Sequence, residues 1–383
     1  MSIILWISIF LILWCYLLYP LSAAAFARAA ERKVAKGEYC PTVSVVISVW
    51  NEEDVIEAKL RNFLALDYPV DKFEILIGSD GSTDRTNAIV KSFTDPRVRL
   101  IEHAERRGKM ATLNDLVAKA RHEVIVFTDA RQEFAADAIR QLVANFADQS
   151  VGCVSGELMF SRKEGATARG INLYWNYEKF MRKCESRIHS MLGATGAVYA
   201  IRKALYPTVP AEVVLDDVYI PLKIVQQGYR AIFDGEAKAY DEVADSPREE
   251  YRRKARTLYG NWQVFRIFIG LFNPFTSPVA VQFFSHKFLR VAAPFLLIGI
   301  FCLNMLLWSE PFYRGLMTLQ LLFYVMAAVG GLARHQKYGM LRILSKVCYI
   351  PYVFCLLNFS ALIGFVRFMS AGQQITWEKA RAR

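Results

Sequence analysis

Four long stretches of apolar residues, nearly free of charge, divide the chain. They cover residues 3–25, 289–308, 315–332 and 347–368. A helix of about 20 residues, rising about 1.5 Å per residue, spans the roughly 30 Å of hydrocarbon in a bilayer. The pattern therefore predicts an integral membrane protein with one N-terminal transmembrane helix and about three C-terminal ones.

Basic residues follow the first apolar stretch at Arg28, Arg32, Lys33 and Lys36, and none precedes it. A cleaved signal peptide, which is the alternative interpretation, would carry its basic region in front of the apolar run. Basic segments next to membrane helices favour the cytoplasmic side. We therefore predict an uncleaved anchor in a bacterial inner (plasma) membrane, with the middle of the chain in the cytoplasm.

The loop between the last two apolar stretches is also basic, with Arg334, Lys337, Arg342 and Lys346. By the same rule, this loop is expected on the cytoplasmic side of the membrane. Four spans that start outside would, however, leave the basic tail at 371–383 outside. Either the rule fails at the tail, or the segment that contains Pro351 is re-entrant.

Between the first and second apolar stretches, short apolar runs alternate with helical patterns. The runs cover residues 43–49, 73–78, 98–101 and 124–127, and the helical patterns begin near Glu52, Asp84, Lys109 and Phe134. Such alternation is typical of a parallel sheet covered by helices on both faces. The sequence therefore predicts a cytosolic α/β domain.

Polar residues leave three of these runs where each ends, at Asn51 and Glu52, at Asp80 and at Asp129. Ligands of open parallel sheets bind beyond the carboxyl ends of the strands. Carboxylates gathered there suit a nucleotide with its metal ion. Helix capping is the alternative interpretation, because Asn and Asp are also favoured N-cap residues.

Composition excludes other classes of function. The chain has 47 basic and 36 acidic residues, a net charge of +11, and the basic residues cluster beside the apolar stretches. No helix-turn-helix or zinc-ligand spacing appears, so we predict a membrane surface rather than nucleic acid as the partner. The seven cysteines contain no CxxC pair, which predicts reduced thiols without zinc.

An ordered series of motifs resembles the family 2 glycosyltransferases. The segments are VVISVWNEEDVI at 45–56, EILIGSDGSTDRT at 74–86, RRGKMATLN at 106–114, TDAR at 128–131, GATGAVYAIRK at 193–203 and LDDVYIPLKIVQQGYR at 215–230. The resemblance covers roughly residues 40–265. Because apolar spans follow these motifs, the chain resembles in particular the membrane-integrated branch that includes hyaluronan, cellulose and poly-N-acetylglucosamine synthases.

The resemblance implies an α/β fold class, with a cytosolic GT-A (Rossmann-like) nucleotide-sugar-binding domain between the membrane helices. An amphipathic helix at 262–275 is expected to lie on the membrane surface. The predicted regions are an anchor, a transferase domain, interfacial helices, C-terminal spans and a basic tail, at residues 1–27, 40–260, 261–285, 286–370 and 371–383.

For the donor, the resemblance implies that Asn51, Glu52 and Asp80 surround the base and ribose. It places the ammonium of Lys109 at the diphosphate, where Gly108 lets the backbone approach closely.

The TDAR motif stands where family 2 enzymes carry Asp-x-Asp. Asp129 matches the first acidic position and is the predicted metal ligand, for Mg²⁺ or Mn²⁺. Arg131 occupies the second acidic position, so either the metal loses a carboxylate or the arginine itself offsets diphosphate charge.

The pair Asp216 and Asp217 matches the motif whose second residue is the catalytic base. Inverting transfer needs one carboxylate to take the proton of the attacking hydroxyl. Repulsion between the two would raise one pKa toward a useful value. Asp217 is thus the predicted base, with Asp216 beside it.

For the acceptor, the resemblance implies the loop with Gly193, Thr195 and Gly196. Processive synthases carry a Gln-x-x-Arg-Trp motif at the place of residues 253–257 of this chain. Here Arg256 keeps the phosphate-binding position, but the glutamine and tryptophan are absent. Trp262 offers a face for sugar stacking, and a membrane-interface anchor is the alternative interpretation.

The predicted function is inverting transfer of a sugar from a nucleotide-diphosphate donor, a UDP-sugar by preference, to a membrane-associated polysaccharide or lipid acceptor. The alternative is a non-catalytic nucleotide-binding membrane subunit that regulates polysaccharide assembly. The sugar, the linkage and any export or assembly partner are not encoded by these motifs.

Overall fold

The computed structural model describes residues 1–160, 166–241, 247–333 and 340–370, without the side chains of residues 166–174, 247–255, 333 and 340–346. The basic loop with Arg334 and Lys337, the side chains of Arg342 and Lys346, and the tail 371–383 lie outside this description.

The central element is an eight-stranded sheet with the order β3-β2-β1-β4-β7-β6-β8-β5. Its strands are β1 Val43–Val49, β2 Phe73–Asp80, β3 Val98–His103, β4 Val124–Phe127, β5 Glu133–Phe134, β6 Val151–Phe160, β7 Tyr199–Arg202 and β8 Arg230–Asp241. The helices are α1 Ser2–Leu13, α2 Tyr19–Ala29, α3 Ile56–Leu64, α4 Thr86–Lys91, α5 Lys109–Lys119, α6 Ala138–Ala144, α7 Ala166–Ile188, α8 Asp216–Gln226, α9 Pro247–Ile267, α10 Ala280–Gln282, α11 Leu289–Leu306, α12 Pro311–Ala333 and α13 Met340–Met369.

The first half of the sheet is parallel, as the alternating pattern predicts. β1 pairs in parallel with β2 and β4, and β2 pairs in parallel with β3. The second half is mixed, because β7 is antiparallel to both β4 and β6. The strand β7 follows the long helix α7 and the loop after it rather than a regular strand-helix-strand crossover, so the simple alternation ends there.

Helices cover both faces of the sheet. Alternate residues of β1 point to opposite faces, so Val45 packs in a cluster with Phe63 of α3 and Leu142 of α6. Val46 packs in a second cluster with Leu113 of α5. Burial on both faces explains why β1 and β2 are nearly continuous apolar runs.

Four helical segments of the described chain are long and apolar enough to span a membrane: Ser2–Ala29, Ala280–Leu306, Pro311–Leu332 and Val347–Met369. This confirms the prediction of one N-terminal and three C-terminal candidate spans. The second candidate begins earlier than the apolar pattern indicates, because the helical segment already includes the polar residues His286 and Lys287.

The predicted interfacial helix at 262–275 is not a separate element. Its first part is the end of α9, which continues to Ile267, and its second part is the short 3-10 helix Ile269–Phe272. Pro274 stands two residues after this 3-10 helix, where the chain has left the helical conformation.

A buried polar cluster joins the first candidate span to the cytosolic domain and to the second span. The hydroxyl of Tyr19 donates to Glu185 Oε1 at 2.8 Å, and His286 Nδ1 lies 2.9 Å from the same oxygen. Arg290 pairs with Glu178 and lies 2.8 Å from His286 Nε2. Helices α2, α7 and the start of the second span are therefore fixed to one another.

Candidate active site

The loops that follow β1 and β2 are bound to each other. Asn51 adopts a left-handed backbone conformation with φ 54°. Its Oδ1 accepts a hydrogen bond from the Thr83 N–H at 2.7 Å, and its own N–H donates to Ser82 Oγ at 3.1 Å. The Glu52 N–H donates to Thr86 Oγ1 at 2.8 Å. Both residues therefore hold this edge of the sheet in shape.

Asp80 is buried at the end of β2, and both of its carboxylate oxygens accept backbone hydrogen bonds. The N–H of Arg107 donates to Oδ1 at 2.7 Å and that of Gly108 to Oδ2 at 2.9 Å. Gly81, with φ 69°, lies where a Cβ atom would approach the Arg106 nitrogen to 2.8 Å. Asp80 thus positions the loop that leads into α5.

Lys109 is the first residue of α5, directly after this loop. Its Nζ lies 3.2 Å from Asp129 Oδ1 and 3.4 Å from Asp216 Oδ1. Burial lowers the pKa of Lys109, but the charges of Asp129, Asp216 and Asp217 outweigh burial and raise it. The structure therefore brings together three residues that lie far apart in the sequence.

The Asp129 carboxylate follows β4 and stays ionised. Burial raises its pKa, but Lys109, Arg131 and Arg256 lower it by a larger amount. Arg256 of α9 therefore also acts on this carboxylate through its positive charge. A compact group of positive and negative side chains thus lies beyond the end of β4.

Asp216 and Asp217 open α8. Burial and the negative charge of Asp216 raise the pKa of Asp217 to about 6, against the opposing charges of Lys109, Lys287 and Arg182. A carboxyl group with such a pKa is ionised at neutral pH and still basic enough to accept a proton.

The loop after α7 lies against Asp217. The Ala194 N–H donates to the Asp217 carbonyl oxygen at 2.7 Å. A Cβ atom on Gly196 would lie 3.3 Å from Asp217 Oδ2. Thr195 is fixed by its N–H to Ser155 Oγ at 2.8 Å. Gly193 belongs to the same loop, so all three predicted acceptor residues of this loop lie beside the predicted base.

Trp262 faces the membrane helices. Its ring packs in an aromatic cluster that includes Phe288, Phe295, Phe365 and Phe368, with a centroid distance of 4.9 Å to Phe365. This packing supports the interpretation of Trp262 as a membrane-interface anchor, and gives no support to sugar stacking.

Lys59 is a site residue that the motifs do not mark. It is buried on α3 and donates to Thr128 Oγ1 at 3.0 Å and to the Gln132 carbonyl oxygen. Burial lowers its pKa to about 7. The sequence does hold a signal, because Lys59 lies in a helical stripe with the buried Ile56 and Phe63, where a cation needs a partner.

Arg106 begins the RRGKMATLN motif, but the motif does not show which group it contacts. Its guanidinium lies 3.6 Å from the ring centroid of Trp50. In the described part of the chain, its Nε and Nη2 are buried without a hydrogen-bond partner. A cation held over an aromatic face is stabilised by the ring quadrupole. Arg106 and Trp50 therefore stack on each other just after the end of β1.

The carboxylates suit a divalent ion that is shared with the donor. Within the described residues, no group of three or more His, Cys, Asp and Glu side chains is placed to hold a metal. Magnesium is commonly held by only one or two carboxylates, with substrate phosphates and water completing its shell. Asp129 therefore fits the role of a protein ligand to an ion held mainly by a diphosphate.

The covered mixed sheet, with its acidic strand ends, is a GT-A fold of the kind found in nucleotide-sugar transferases. Residues 44–206 match the model of the family described as Glycosyl transferase family 2. This segment of the chain, from β1 to just after β7, is therefore similar to the family 2 glycosyltransferases.

Two curated relatives are named for glycosyl transfer or polysaccharide synthesis. The probable glycosyltransferase YdaM of Bacillus subtilis (strain 168) is 26% identical over 243 residues, covering 61% of this chain and 58% of that protein. The poly-beta-1,6-N-acetyl-D-glucosamine synthase of Staphylococcus aureus (strain MSSA476) is 23% identical over 254 residues, covering 64% of this chain and 60% of that protein. The chain thus spans less than two thirds of the length of these relatives.

A solved structure shares the fold over most of the chain. The mannosyltransferase PcManGT from Pyrobaculum calidifontis, in complex with GDP-Man and Mn²⁺, superposes with a TM-score of 0.66. The match covers 93% of this chain and 99% of that one, at 24% sequence identity. At this identity the similarity concerns the fold alone.

Proposed function

We propose that the protein is an inverting glycosyltransferase that moves a sugar from a nucleotide-diphosphate donor, preferentially a UDP-sugar, to a membrane-associated polysaccharide or lipid acceptor. The observation that carries the proposal is the position of Asp217. Its pKa is raised to about 6 by burial and by Asp216. It lies beside the Gly196 loop and directly after Asp216, whose Oδ1 is 3.4 Å from Lys109 Nζ.

In this proposal Asp217 acts as the base. The acceptor hydroxyl forms a bond to the anomeric carbon of the sugar while the bond from that carbon to the nucleoside diphosphate breaks. Asp217 takes the hydroxyl proton, and the nucleoside diphosphate leaves with the bonding electrons. One well-placed base contributes about 10²- to 10⁴-fold in rate.

Positive charge stabilises the leaving group. Lys109 and Arg256 both lie close to Asp129 and offset the charge of the diphosphate. A divalent ion held by Asp129 and the phosphates would add further positive charge there. Asn51, Glu52 and Asp80 shape the donor pocket, and Asp80 does so through the Arg107 and Gly108 backbone.

We place this domain, at residues 40–260, on the cytoplasmic side of a bacterial plasma membrane. The four candidate spans support membrane integration. The basic residues that follow the first span support the orientation.

A non-catalytic regulatory subunit is the second candidate function. It is favoured by two departures from the family pattern, which are Arg131 at the second acidic position and the altered motif at residues 253–257.

Nucleotide release separates the two functions. The protein in nanodiscs is incubated with a panel of UDP- and GDP-sugars, with and without Mn²⁺ and lipid extract, beside Asp217→Asn. Release that this variant abolishes supports the transferase, and the responding sugar identifies the donor. Binding of UDP with no release from any donor in the presence of the extract would support the regulatory subunit.

A further inference from the structure

Two cations lie beside Asp217 on the side of the membrane helices. Arg182 of α7 donates to Thr195 Oγ1 at 2.5 Å. Lys287 lies near the start of the candidate span Ala280–Leu306, and its Nζ would be 3.7 Å from a Cβ atom on Gly193. Both side chains therefore border the loop that carries the predicted acceptor residues.

Neither cation has a carboxylate partner at ion-pair distance among the described residues, and Lys287 makes no hydrogen bond there. The two nearby glutamates are already engaged. Glu178 pairs with Arg290, and Glu185 accepts the hydrogen bond of Tyr19. Positive charge therefore remains available at this position, where both side chains keep a minor part of their surface exposed.

The location indicates which kind of anion belongs there. Arg182 follows Met181, which packs with Tyr19 and Ala23 of the first span. Lys287 is itself part of the second candidate span. Lysine and arginine side chains at such positions extend toward the lipid head groups, where phosphate is the abundant anion.

We propose that Arg182 and Lys287 bind the phosphate of a phospholipid acceptor whose head group also carries a free hydroxyl, and so present that hydroxyl to Asp217. The inference rests on the proposed transferase function and names its acceptor. The hydroxyl oxygen bonds to the anomeric carbon, its proton passes to Asp217, and the nucleoside diphosphate departs. The phosphate of the lipid takes no part in bond making, which is why a base is still needed.

Chemical labelling tests the binding step without turnover. In micelles of a phosphate-free detergent an amine-reactive reagent is expected to modify both Lys287 and Lys183, which is exposed on the same helix as Arg182. Adding phosphatidylglycerol or phosphatidic acid should lower the labelling of Lys287 severalfold and leave Lys183 unchanged, whereas diacylglycerol should protect neither. Equal labelling of Lys287 with all three lipids overturns the proposal.

Sugar transfer to the same lipids tests the acceptor role. Phosphatidylglycerol should become glycosylated, whereas phosphatidic acid has the phosphate without the hydroxyl and diacylglycerol the hydroxyl without the phosphate. Lys287→Gln should raise the KM for phosphatidylglycerol about ten- to hundredfold, the loss expected for a hydrogen bond to a charged group. Lys287→Arg should restore much of the loss, and Lys183→Gln should behave as wild type.

The outcomes separate the two proposals. Nucleotide release without protection of Lys287, or equal transfer to diacylglycerol and phosphatidylglycerol, overturns the phospholipid acceptor and leaves the transferase intact. Protection of Lys287 without nucleotide release from any donor overturns the transferase and the acceptor role together.

Discussion

Lys109 Nζ and Asp129 Oδ1 form an ion pair at 3.2 Å, beyond the carboxyl-terminal ends of the parallel strands. The pair joins the first residue of α5 to the loop after β4, and the ammonium also reaches Asp216. One positive charge therefore holds two carboxylates that would otherwise repel each other. In the proposed reaction the same charge would stabilise the diphosphate of a bound donor.

Replacement of that charge should impair the donor half of the reaction. We expect Lys109→Met to lower kcat/KM for the donor by about a hundredfold or more, since preorganised charge at a leaving group has effects of that size. Steady-state nucleotide release measures it. Lys119→Met, at the exposed end of the same helix, should be unaffected, and equal activity of the two variants would contradict the role of Lys109.

The pH dependence should report Asp217. Because a base must be unprotonated and the pKa of Asp217 is raised to about 6, turnover should rise as pH increases through about 6 and then level off. Asp216→Asn removes the neighbouring negative charge, which lowers the pKa of Asp217 and should move the rising limb to lower pH. A pH-rate profile of both proteins gives the result, and an unshifted limb would exclude this coupling.

The Gly196 position should tolerate no side chain. A Cβ atom there would lie 3.3 Å from Asp217 Oδ2, a tight contact that displaces the carboxylate by a few tenths of an ångström. We expect Gly196→Ala to lower kcat about tenfold or more with little change in donor KM, because small misplacements of a reacting group are costly. Gly270→Ala, whose added Cβ meets no atom within 4 Å, is the matched control.

Lys59 should act through the loop that carries Asp129. Lys59→Met keeps the apolar contact with Phe63 but leaves Thr128 Oγ1 and the Gln132 carbonyl without their donor. We expect donor KM to rise about tenfold, within the range for the loss of a buried hydrogen bond. Donor kinetics and thermal unfolding are measured together, with the exposed Arg61→Met as control. Unchanged donor KM would show that the loop holds its shape without Lys59.

Trp262 should behave as a packing residue. We expect Trp262→Phe to keep most activity, and Trp262→Ala to lower stability by about 3–5 kcal/mol, as truncation of a large packed aromatic side chain does. Thermal unfolding in detergent and nucleotide release distinguish the two effects. Strong loss of transfer in Trp262→Phe with unchanged stability would instead indicate a sugar-stacking surface.

The sequence predicts the parallel half of the sheet because β1, β2 and β4 are buried on both faces and therefore read as plain apolar runs. It does not predict the antiparallel strand β7, since pairing direction depends on the path of the chain through α7. Nor does it predict that the second candidate span begins with a segment that contains polar residues. Lys287 lowers the local hydropathy by which such helices are recognised.

The candidate site likewise combines residues that the sequence predicts with contacts that it does not. Asp129 and Asp217 stand in ordered motifs, so their residue types and their positions in the chain already indicate chemistry. The partners of Asp80 are backbone N–H groups of a distant loop, which no side-chain pattern encodes. Arg182 lies outside every motif, and only its contact with Thr195 reveals its position.

The aromatic cluster around Trp262 has a consequence for the reach of the enzyme. Rings from α9, α11 and α13 interlock there, and Arg256 of the site stands on the same helix α9. In the proposed function this packing would hold the catalytic centre at a constant height above the hydrocarbon layer. Only hydroxyls presented at that depth would then react, so the distance from the bilayer would select the acceptor before any contact with the sugar does.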